Sequence, residues 1–285
     1  MSTKQVVGYF NGWVTQDELS SRIEGYTHVI FSFWVDPEQG VAGAAEAAVA
    51  NNNALIKYVQ SQGKKCMLAA GGGTYTPDFG NTDNAREYGL ALAKYALDHG
   101  YDGVDFDIEN IYDFATSLPW LAAATNAASQ YASENQKSLI ISHAPQAPYF
   151  HAQGQAGYGQ LEAMTQGCIN FYNIQYYNQG TDAYQAYDTF NKIFPKTYDG
   201  AANNTAIESI SANGIPGEKL MVGKPITSAD VGSAGATGYI SEDKLAAILF
   251  EAQKQGISFG GVMGWKIDSD INGQWGNAMN KTLNS

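Results

Sequence analysis

The stretch Tyr101-Asp-Gly-Val-Asp-Phe-Asp-Ile-Glu-Asn110 alternates acidic side chains with apolar ones. Because successive side chains of a β-strand point to opposite faces, Asp105, Asp107 and Glu109 would share one face, about 6–7 Å apart along the strand. Carboxylates inside a packed core cost free energy unless they are protonated, hydrogen-bonded or used in chemistry. The stretch therefore predicts either a functional strand inside a sheet or an edge strand with a solvated acidic face.

The rest of the chain favours the first alternative, because short apolar runs rich in Val, Ile and aromatic residues recur along it. The predicted strands are Val6–Phe10, His28–Phe33, Lys65–Ala70, Val104–Ile108, Leu139–Ala144, Phe171–Tyr177, Leu220–Gly223 and Gly261–Trp265. The predicted helices, with apolar residues at helical spacing, are Asn51–Gln62, Ala85–His99, Leu118–Tyr131, Thr205–Ala212 and Ser241–Gln255. This alternation predicts βα units and, at this length, a closed (β/α)8 TIM barrel, an α/β fold in which no strand has a free edge.

The composition is that of a folded chain with excess negative charge. Of its 285 residues, 44% are hydrophobic and 15% are charged, so the chain can bury a sizeable core. No linker or shift in composition divides it, and we expect a single barrel domain over residues 1–285. The net charge of −12 repels phosphate backbones and anionic lipids, and no apolar run reaches the ~18 residues of a membrane-spanning helix. We therefore expect no nucleic acid and no membrane as partners.

Three further features concern compartment and cofactors. The start of the chain lacks an apolar secretory region, and we expect a secreted protein in its mature form, with a cytoplasmic protein as the alternative. Cys66 and Cys168 have no CxxC spacing and no histidine at ligand spacing, which predicts buried free thiols. The four histidines show no metal-binding spacing and the glycine-rich segments lack a P-loop lysine, so we expect no metal and no cofactor.

The acidic stretch also resembles a known motif. Asp102-Gly-Val-Asp-Phe-Asp-Ile-Glu109 is similar to the DGxDxDxE motif of family 18 glycoside hydrolases, which include chitinases and endo-β-N-acetylglucosaminidases. Other strand ends resemble the family too, in the hevamine-like and bacterial single-domain form: Ala69–Gly73, Ala144–Gln146, Gln175–Asn178 and Gly261–Trp265. Ala69 departs from the pattern, because the family usually has there a serine that hydrogen-bonds the aspartate row. Support for Asp105 must then come from elsewhere, such as the backbone or water.

The resemblance implies a metal-free hydrolysis in which the 2-acetamido oxygen of the sugar attacks the anomeric carbon. In that mechanism Glu109 is the general acid and then the base, Asp107 holds the acetamido N–H, and Asp105 shares a proton with Asp107. The hydroxyl of Tyr177 would hold the acetamido oxygen. The substrate-binding residues that the resemblance and the strand ends suggest are Gln175, Trp265, Asn178, Gln146, Gly72, Tyr9 and Phe33.

The implied function is that of an endo-acting chitinase that cleaves β-1,4-linked N-acetylglucosamine with retention, as a monomer acting on chitin or its oligosaccharides. One alternative is an endo-β-N-acetylglucosaminidase that cuts the chitobiose core of N-glycans. Another is a non-catalytic carbohydrate-binding or storage protein on the same fold, although the presence of both Glu109 and Asp107 favours an enzyme. The loop Lys224–Ile240 is too short for the extra domain that many processive chitinases carry there, which predicts an open cleft without an insertion subdomain.

Overall fold

The computed structural model describes residues 3–150, 157–179, 186–195, 205–232 and 237–285. Its centre is a closed barrel in which strands β1 to β8 follow one another in chain order, and β1 pairs in parallel with β8. The strands are β1 Gln5–Phe10, β2 His28–Trp34, β3 Lys65–Gly71, β4 Gly103–Asp107, β5 Ile140–His143, β6 Phe171–Gln175, β7 Leu220–Pro225 and β8 Gly261–Trp265. The predicted TIM barrel is confirmed, and every predicted strand end lies within two residues of the observed one.

The helices of the described ranges lie between and after the strands. They are α1 Gln16–Arg22, α2 Ala44–Ser61, α3 Thr82–His99, α4 Phe114–Glu134, α5 Gly159–Met164, α6 Phe190–Ile193, α7 Ile207–Ala212, α8 Glu242–Lys254 and α9 Gln274–Asn284. Helices α1, α5, α6 and α9 were not predicted, although Thr15 and Glu18 form a capping box at the start of α1. The first half of α2 was not predicted either; it precedes a kink at Asn51–Asn53, where all three φ angles are positive.

Two apolar cores hold the barrel together. Inside the barrel, side chains such as Val7, Ile30, Met67, Met221 and Met263 form an inner core. A larger outer core packs the opposite faces of the strands against the helices. Because the strands are covered on both faces, they read as almost continuous apolar runs, which is why their positions could be predicted.

The first acid of the motif lies at the amino end of β4, away from the other three. The carboxylate of Asp102 accepts hydrogen bonds from the backbone N–H of Cys66 at 2.9 Å and from the side chain of Gln60 at 3.0 Å. It thereby ties β4 to β3 and to α2. Cys66 is buried as expected, whereas Cys168 is only half-buried, and both thiols are free. Within the described ranges, no helix has both the length and the hydropathy needed to cross a bilayer.

Candidate active site

A pocket of about 220 Å³ opens at the carboxyl ends of the strands. Its lining residues are Asn11, Phe33, Gly73, Asp107, Glu109, Gln175, Tyr177, Asn178 and Trp265. Of these, only Asn11 and Gly73 were not expected from the sequence. The combination of aromatic rings, amides and two carboxyl groups suits a ligand with apolar ring faces and polar edges, such as a sugar.

The glycines at the end of β3 allow its backbone to pass close to β4. Gly71 and Gly72 have φ angles of +97° and +89°, which favour glycine. A Cβ on Gly71 would lie 2.6 Å from the carbonyl oxygen of Asp107, and the N–H of Gly72 donates to that same oxygen at 2.7 Å. Gly72 itself packs against the ring of Phe33, so its expected place in the pocket lining is taken by Gly73.

Three acids run from the barrel interior to the pocket. Asp105 is fully buried, Asp107 is 4% exposed, and Glu109 is half-buried at the mouth. Asp107 and Glu109 share a side-chain hydrogen bond, and Gln175 donates to Asp107 Oδ1 at 3.0 Å. Burial, followed by the charges of Glu109 and Asp105, raises the pKa of Asp107 well above its usual range. The protonated form of Asp107 is therefore favoured, and its carboxyl group can hydrogen-bond Glu109. That Asp105 shares a proton with Asp107 stays a prediction.

Side chains from three other strands, β1, β5 and β6, support Asp105. Ser142 donates to its Oδ1 at 2.5 Å, Tyr9 donates to its Oδ2 at 2.7 Å, and the amide of Asn173 lies 3.3 Å from Oδ1. The support expected from backbone or water thus comes from side chains instead. Burial raises the pKa of Asp105 to about 6, while these donors act in the opposite direction by stabilising the charge.

Glu109 is held by residues that follow β4 and β5. Gln146 donates to Glu109 Oε2 at 3.2 Å, and the hydroxyl of Tyr149 donates to the Glu109 carbonyl oxygen. The next residue, Asn110, donates to the carbonyl oxygen of Tyr75 at 2.9 Å and so fixes the chain just after the acid. Gln146, expected to bind substrate, therefore contacts the acid itself and is not part of the pocket lining.

Aromatic rings form the floor and one wall of the pocket. The ring of Trp265 lies 5.8 Å from that of Tyr9 and 6.4 Å from that of Phe33, measured between centroids. Tyr9 lies below the pocket surface, where it contacts Asp105. Burial, then the charges of Asp107 and Glu109, raises the pKa of Tyr177 well above its usual range. Its hydroxyl therefore keeps its proton and can donate a hydrogen bond to a bound oxygen.

The buried Lys224 stabilises the part of the pocket wall that carries Tyr177. The ammonium of Lys224 on β7 donates to the carbonyl oxygens of Tyr176 at 2.8 Å, Tyr187 at 2.6 Å and Gly238 at 3.0 Å. Burial lowers the pKa of Lys224 to about 7. Gly238, at a φ of +113°, packs so closely that a Cβ would lie 2.4 Å from Cα of Tyr177. One buried lysine side chain thus joins the end of β6 to the loops that follow β6 and β7.

Asn178 continues this wall at the pocket rim. Its side-chain oxygen accepts the N–H of Gly232 at 2.7 Å, and its own N–H donates to the carbonyl oxygen of Thr237 at 2.8 Å. After β1, the carboxylate of Asp268 accepts the N–H of Asn11 at 3.0 Å. Asn11 is therefore fixed through its backbone and Asn178 through both its backbone and its side-chain oxygen, and both residues line the pocket.

Several residues of the site were missed, although some had a signal in the sequence. Asn173 shares its strand parity with Gln175 and Tyr177, and Asn11 directly follows a predicted strand. Ser142 lies inside an apolar run, where a lone serine reads as core packing. Among the residues that the structure describes, no group of three or more His, Cys, Asp or Glu side chains is arranged to hold a metal ion.

Curated relatives of the chain are chitinases. It is 31% identical to Chitinase 2 of Candida albicans over 241 residues. The matched region is 80% of this chain and 35% of that protein. It is 26% identical to the basic endochitinase of Nicotiana tabacum, over 85% of this chain and 76% of that protein. The chain thus spans between about a third and a half of the length of the first Candida relatives, at 35% and 52%.

Solved structures share the fold at low identity. A family GH18 chitinase from Chromobacterium violaceum matches with a TM-score of 0.71 at 18% identity, over 100% of this chain and 84% of that one. A GH18 chitinase from Cycas revoluta in complex with (GlcNAc)3 matches with a TM-score of 0.71 at 16% identity, over 98% and 99% of the two chains. A xylanase-α-amylase inhibitor protein in complex with trehalose also matches, with a TM-score of 0.67 at 19% identity over 98% of both chains. At such identities the likeness shows the fold alone.

The family follows from the sequence as a whole. The model of the glycosyl hydrolases of family 18 matches residues 5–266, a range that includes all eight strands and all three acids of the row. This agrees with the resemblance of the acidic motif and with the barrel that the structure shows. The chain belongs to glycosyl hydrolases family 18.

Proposed function

We propose that the chain is an endo-acting chitinase that hydrolyses β-1,4 linkages between N-acetylglucosamine units with retention. The observation that carries this proposal is the hydrogen-bonded pair of Asp107 and Glu109 in a pocket lined by Tyr177 and Trp265. The family and the chitinases among its relatives support the substrate class.

The spacing of the carboxyl groups supports an acetamido nucleophile. Retaining enzymes with a carboxylate nucleophile hold their two carboxyl groups about 5–5.5 Å apart, with the anomeric carbon between them. Asp107 and Glu109 are closer than that, since they share a hydrogen bond, and Asp105 is fully buried beneath them. This row of acids thus leaves the far face of the sugar without a carboxylate, and the substrate's own 2-acetamido oxygen is the nucleophile.

In the first step Glu109 donates its proton to the glycosidic oxygen while the acetamido oxygen bonds to the anomeric carbon. The bond to the leaving oxygen breaks, its electron pair stays on that oxygen, and an oxazolinium ion forms. The proton shared between Asp107 and Glu109 lies on Glu109 at this stage, so Asp107 is a carboxylate that accepts the acetamido N–H and stabilises the positive charge. The hydroxyl of Tyr177 donates to the acetamido oxygen and orients it.

In the second step the Glu109 carboxylate takes a proton from water. The water oxygen attacks the anomeric carbon, the oxazolinium ring opens, and the acetamido group is restored. Glu109 is protonated again, and the two successive inversions give a product with retained configuration. Glu109, Asp107, Tyr177, the sugar's own acetamido group and one water molecule thus supply every group that these two steps require.

This mechanism makes the acetamido group of the substrate essential. We expect turnover of N-acetylglucosamine oligosaccharides and no measurable turnover of cello-oligosaccharides or of fully deacetylated glucosamine oligosaccharides of equal length. A thiazoline that mimics the oxazolinium ion should inhibit competitively. The measurement is product analysis by mass spectrometry with all three substrates. Efficient cleavage of the cello-oligosaccharide, or capture of a covalent glycosyl–carboxylate intermediate, would contradict the mechanism.

The short connection between β7 and α8 supports cutting within the polymer. This interval, residues 226–241, contains one 3-10 turn, Ser228–Asp230, in its described part, residues 226–232 and 237–241. It is far shorter than the ~40–50 residues that a separate domain needs, so it adds no domain-sized wall over the pocket. We expect mixed short oligomers and an early fall in viscosity from soluble chitin. Release of disaccharide alone from the first minutes, with constant viscosity, would instead indicate an end-acting enzyme.

The same assay separates the alternatives when a high-mannose glycoprotein is included. Release of the glycan without cleavage of chitin oligosaccharides would identify an endo-β-N-acetylglucosaminidase. Binding of N-acetylglucosamine oligosaccharides without hydrolysis of either substrate would identify a carbohydrate-binding protein on this fold.

A further inference from the structure

The deepest acid of the row is held by hydroxyl and amide groups from three strands. Asp105 accepts from Tyr9 on β1 and from Ser142 on β5, and the Asn173 amide on β6 approaches the same carboxylate. The Asn173 amide also donates to the Tyr9 hydroxyl at 2.8 Å, which leaves the hydroxyl proton of Tyr9 directed at Asp105. Of these donors, Ser142 makes the shortest contact, at 2.5 Å.

The register of the sheet places Ser142 in a defined relation to Ala69. On one side of β4, Asp105 pairs with Ala69 of β3, and on the other side it pairs with Ser142 of β5. Paired residues of neighbouring strands lie about 4.8 Å apart, with side chains on the same face, so both can reach Asp105. Ala69 offers no donor at the position where the family resemblance suggests a serine. A serine hydroxyl therefore reaches Asp105 from β5, through Ser142, and not from β3.

We propose that Ser142 is a positioning residue of the hydrolysis reaction, which holds Asp105 in place of a serine on β3. This rests on the proposed function. Ser142 contacts Asp105 and lies outside the pocket lining, so it acts through the acid row. Its hydroxyl fixes the orientation of the Asp105 carboxylate beneath Asp107. It also stabilises the charged form of Asp105.

The charge of Asp105 matters because it acts on the proton above it. It is one of the groups that raise the pKa of Asp107, and so it helps to keep one proton on the pair formed by Asp107 and Glu109. The titratable groups that interact electrostatically with Asp105 are Tyr9, Asp107, Tyr158 and Tyr177. Burial raises the pKa of all three tyrosines, so they stay neutral. Asp107 is therefore the group whose pKa changes with the charge of Asp105.

The test uses Ser142→Ala, Ser142→Thr, Ala69→Ser and the double variant Ala69→Ser/Ser142→Ala, assayed on a soluble N-acetylglucosamine tetrasaccharide. We expect Ser142→Ala to lower kcat about 10-fold with KM changed less than 2-fold, since a hydrogen bond to a charged group is lost. Because that hydrogen bond lowers the pKa of Asp105, its loss should move the acidic limb of the kcat profile about one pH unit upward. Ser142→Thr keeps the hydroxyl and should keep the wild-type limb.

The double variant separates positioning from packing. Ala69→Ser returns a hydroxyl to Asp105 from β3, so it should restore kcat and the acidic limb of Ser142→Ala. Ser32→Ala is the matched control, because Ser32 is a fully buried serine on β2 whose hydroxyl has no hydrogen-bond partner. It should leave both quantities unchanged.

Each outcome decides a separate claim. A wild-type chain that does not cleave the tetrasaccharide overturns the proposed function. A wild-type chain that cleaves it, with a folded Ser142→Ala variant of equal kcat and pH profile, overturns the role of Ser142 alone. If Ser142→Ala does not fold, a shift of the acidic limb by about one pH unit in a folded Ser142→Thr variant, which keeps the hydroxyl, also overturns it.

Discussion

Replacement of Glu109 by glutamine is expected to lower kcat by at least ~10²–10⁴-fold, because an amide keeps the shape of the acid and can neither donate nor retrieve a proton. Gln146 and Tyr149 contact the side chain and the carbonyl group at this position, and both contacts remain possible with glutamine. We therefore expect an unchanged thermal midpoint and nearly unchanged binding of N-acetylglucosamine oligosaccharides. Steady-state kinetics, calorimetric titration and a thermal melt measure the three quantities.

The matched control is Glu87→Gln, the same substitution at an exposed position on α3. It should leave kcat and binding at wild-type values. A folded Glu109→Gln variant with wild-type turnover would overturn the role of Glu109 as acid and base. Loss of binding in parallel with turnover would indicate that Glu109 mainly holds the substrate.

Replacement of Asp107 by asparagine is expected to lower kcat by ~10²–10³-fold, the size of effect seen when one group that stabilises a developing charge is removed. Asparagine can still hydrogen-bond Glu109 and Gln175, but it carries no charge to stabilise the oxazolinium ion and no proton to pass to Glu109. Since these contributions belong to the transition state, KM should change far less than kcat. The pH profile should also lose the limb that reports the shared proton.

Asp98→Asn, an exposed change on α3, is the control for the loss of one negative charge. Its kinetics should match the wild type at equal ionic strength. An Asp107→Asn variant with weakened binding and normal kcat would show that Asp107 acts on the bound ground state, and the proposed proton transfer to Glu109 would then be wrong.

The barrel could be predicted from sequence because its strands are buried on both faces. Runs such as His28–Phe33 are apolar at nearly every position, and this pattern is independent of the residues that pack against them. Helices with weak apolar periodicity were harder to recognise. The first half of α2 is rich in alanine and ends at a run of asparagines with positive φ, which no periodic pattern reveals. The single-domain organisation and secretion stay predictions.

The acids of the candidate site could be predicted from the sequence, but most of the residues that hold them could not. Asp105, Asp107 and Glu109 are conspicuous because carboxylates interrupt an apolar strand. Their partners are small or neutral polar residues that resemble ordinary core positions in a sequence, and Ser142 becomes informative only through its register with Asp105. Lys224 is hidden in the same way, because a single lysine in a short strand gives no indication of its carbonyl partners.

The three carbonyl groups held by Lys224 have a consequence for redesign of the specificity of this protein. A loop grafted after β7 removes the acceptor at Gly238, and one grafted after β6 removes the acceptor at Tyr187. Either exchange would leave one N–H of the buried Lys224 amine without an acceptor, which costs free energy that the new loop has to recover elsewhere. Strand alternation places Lys224 on the face of β7 opposite to Met221 of the inner core, away from bound sugar. The two loops and Lys224 should therefore be exchanged together as one unit. Libraries that vary one loop alone should yield mostly unstable proteins.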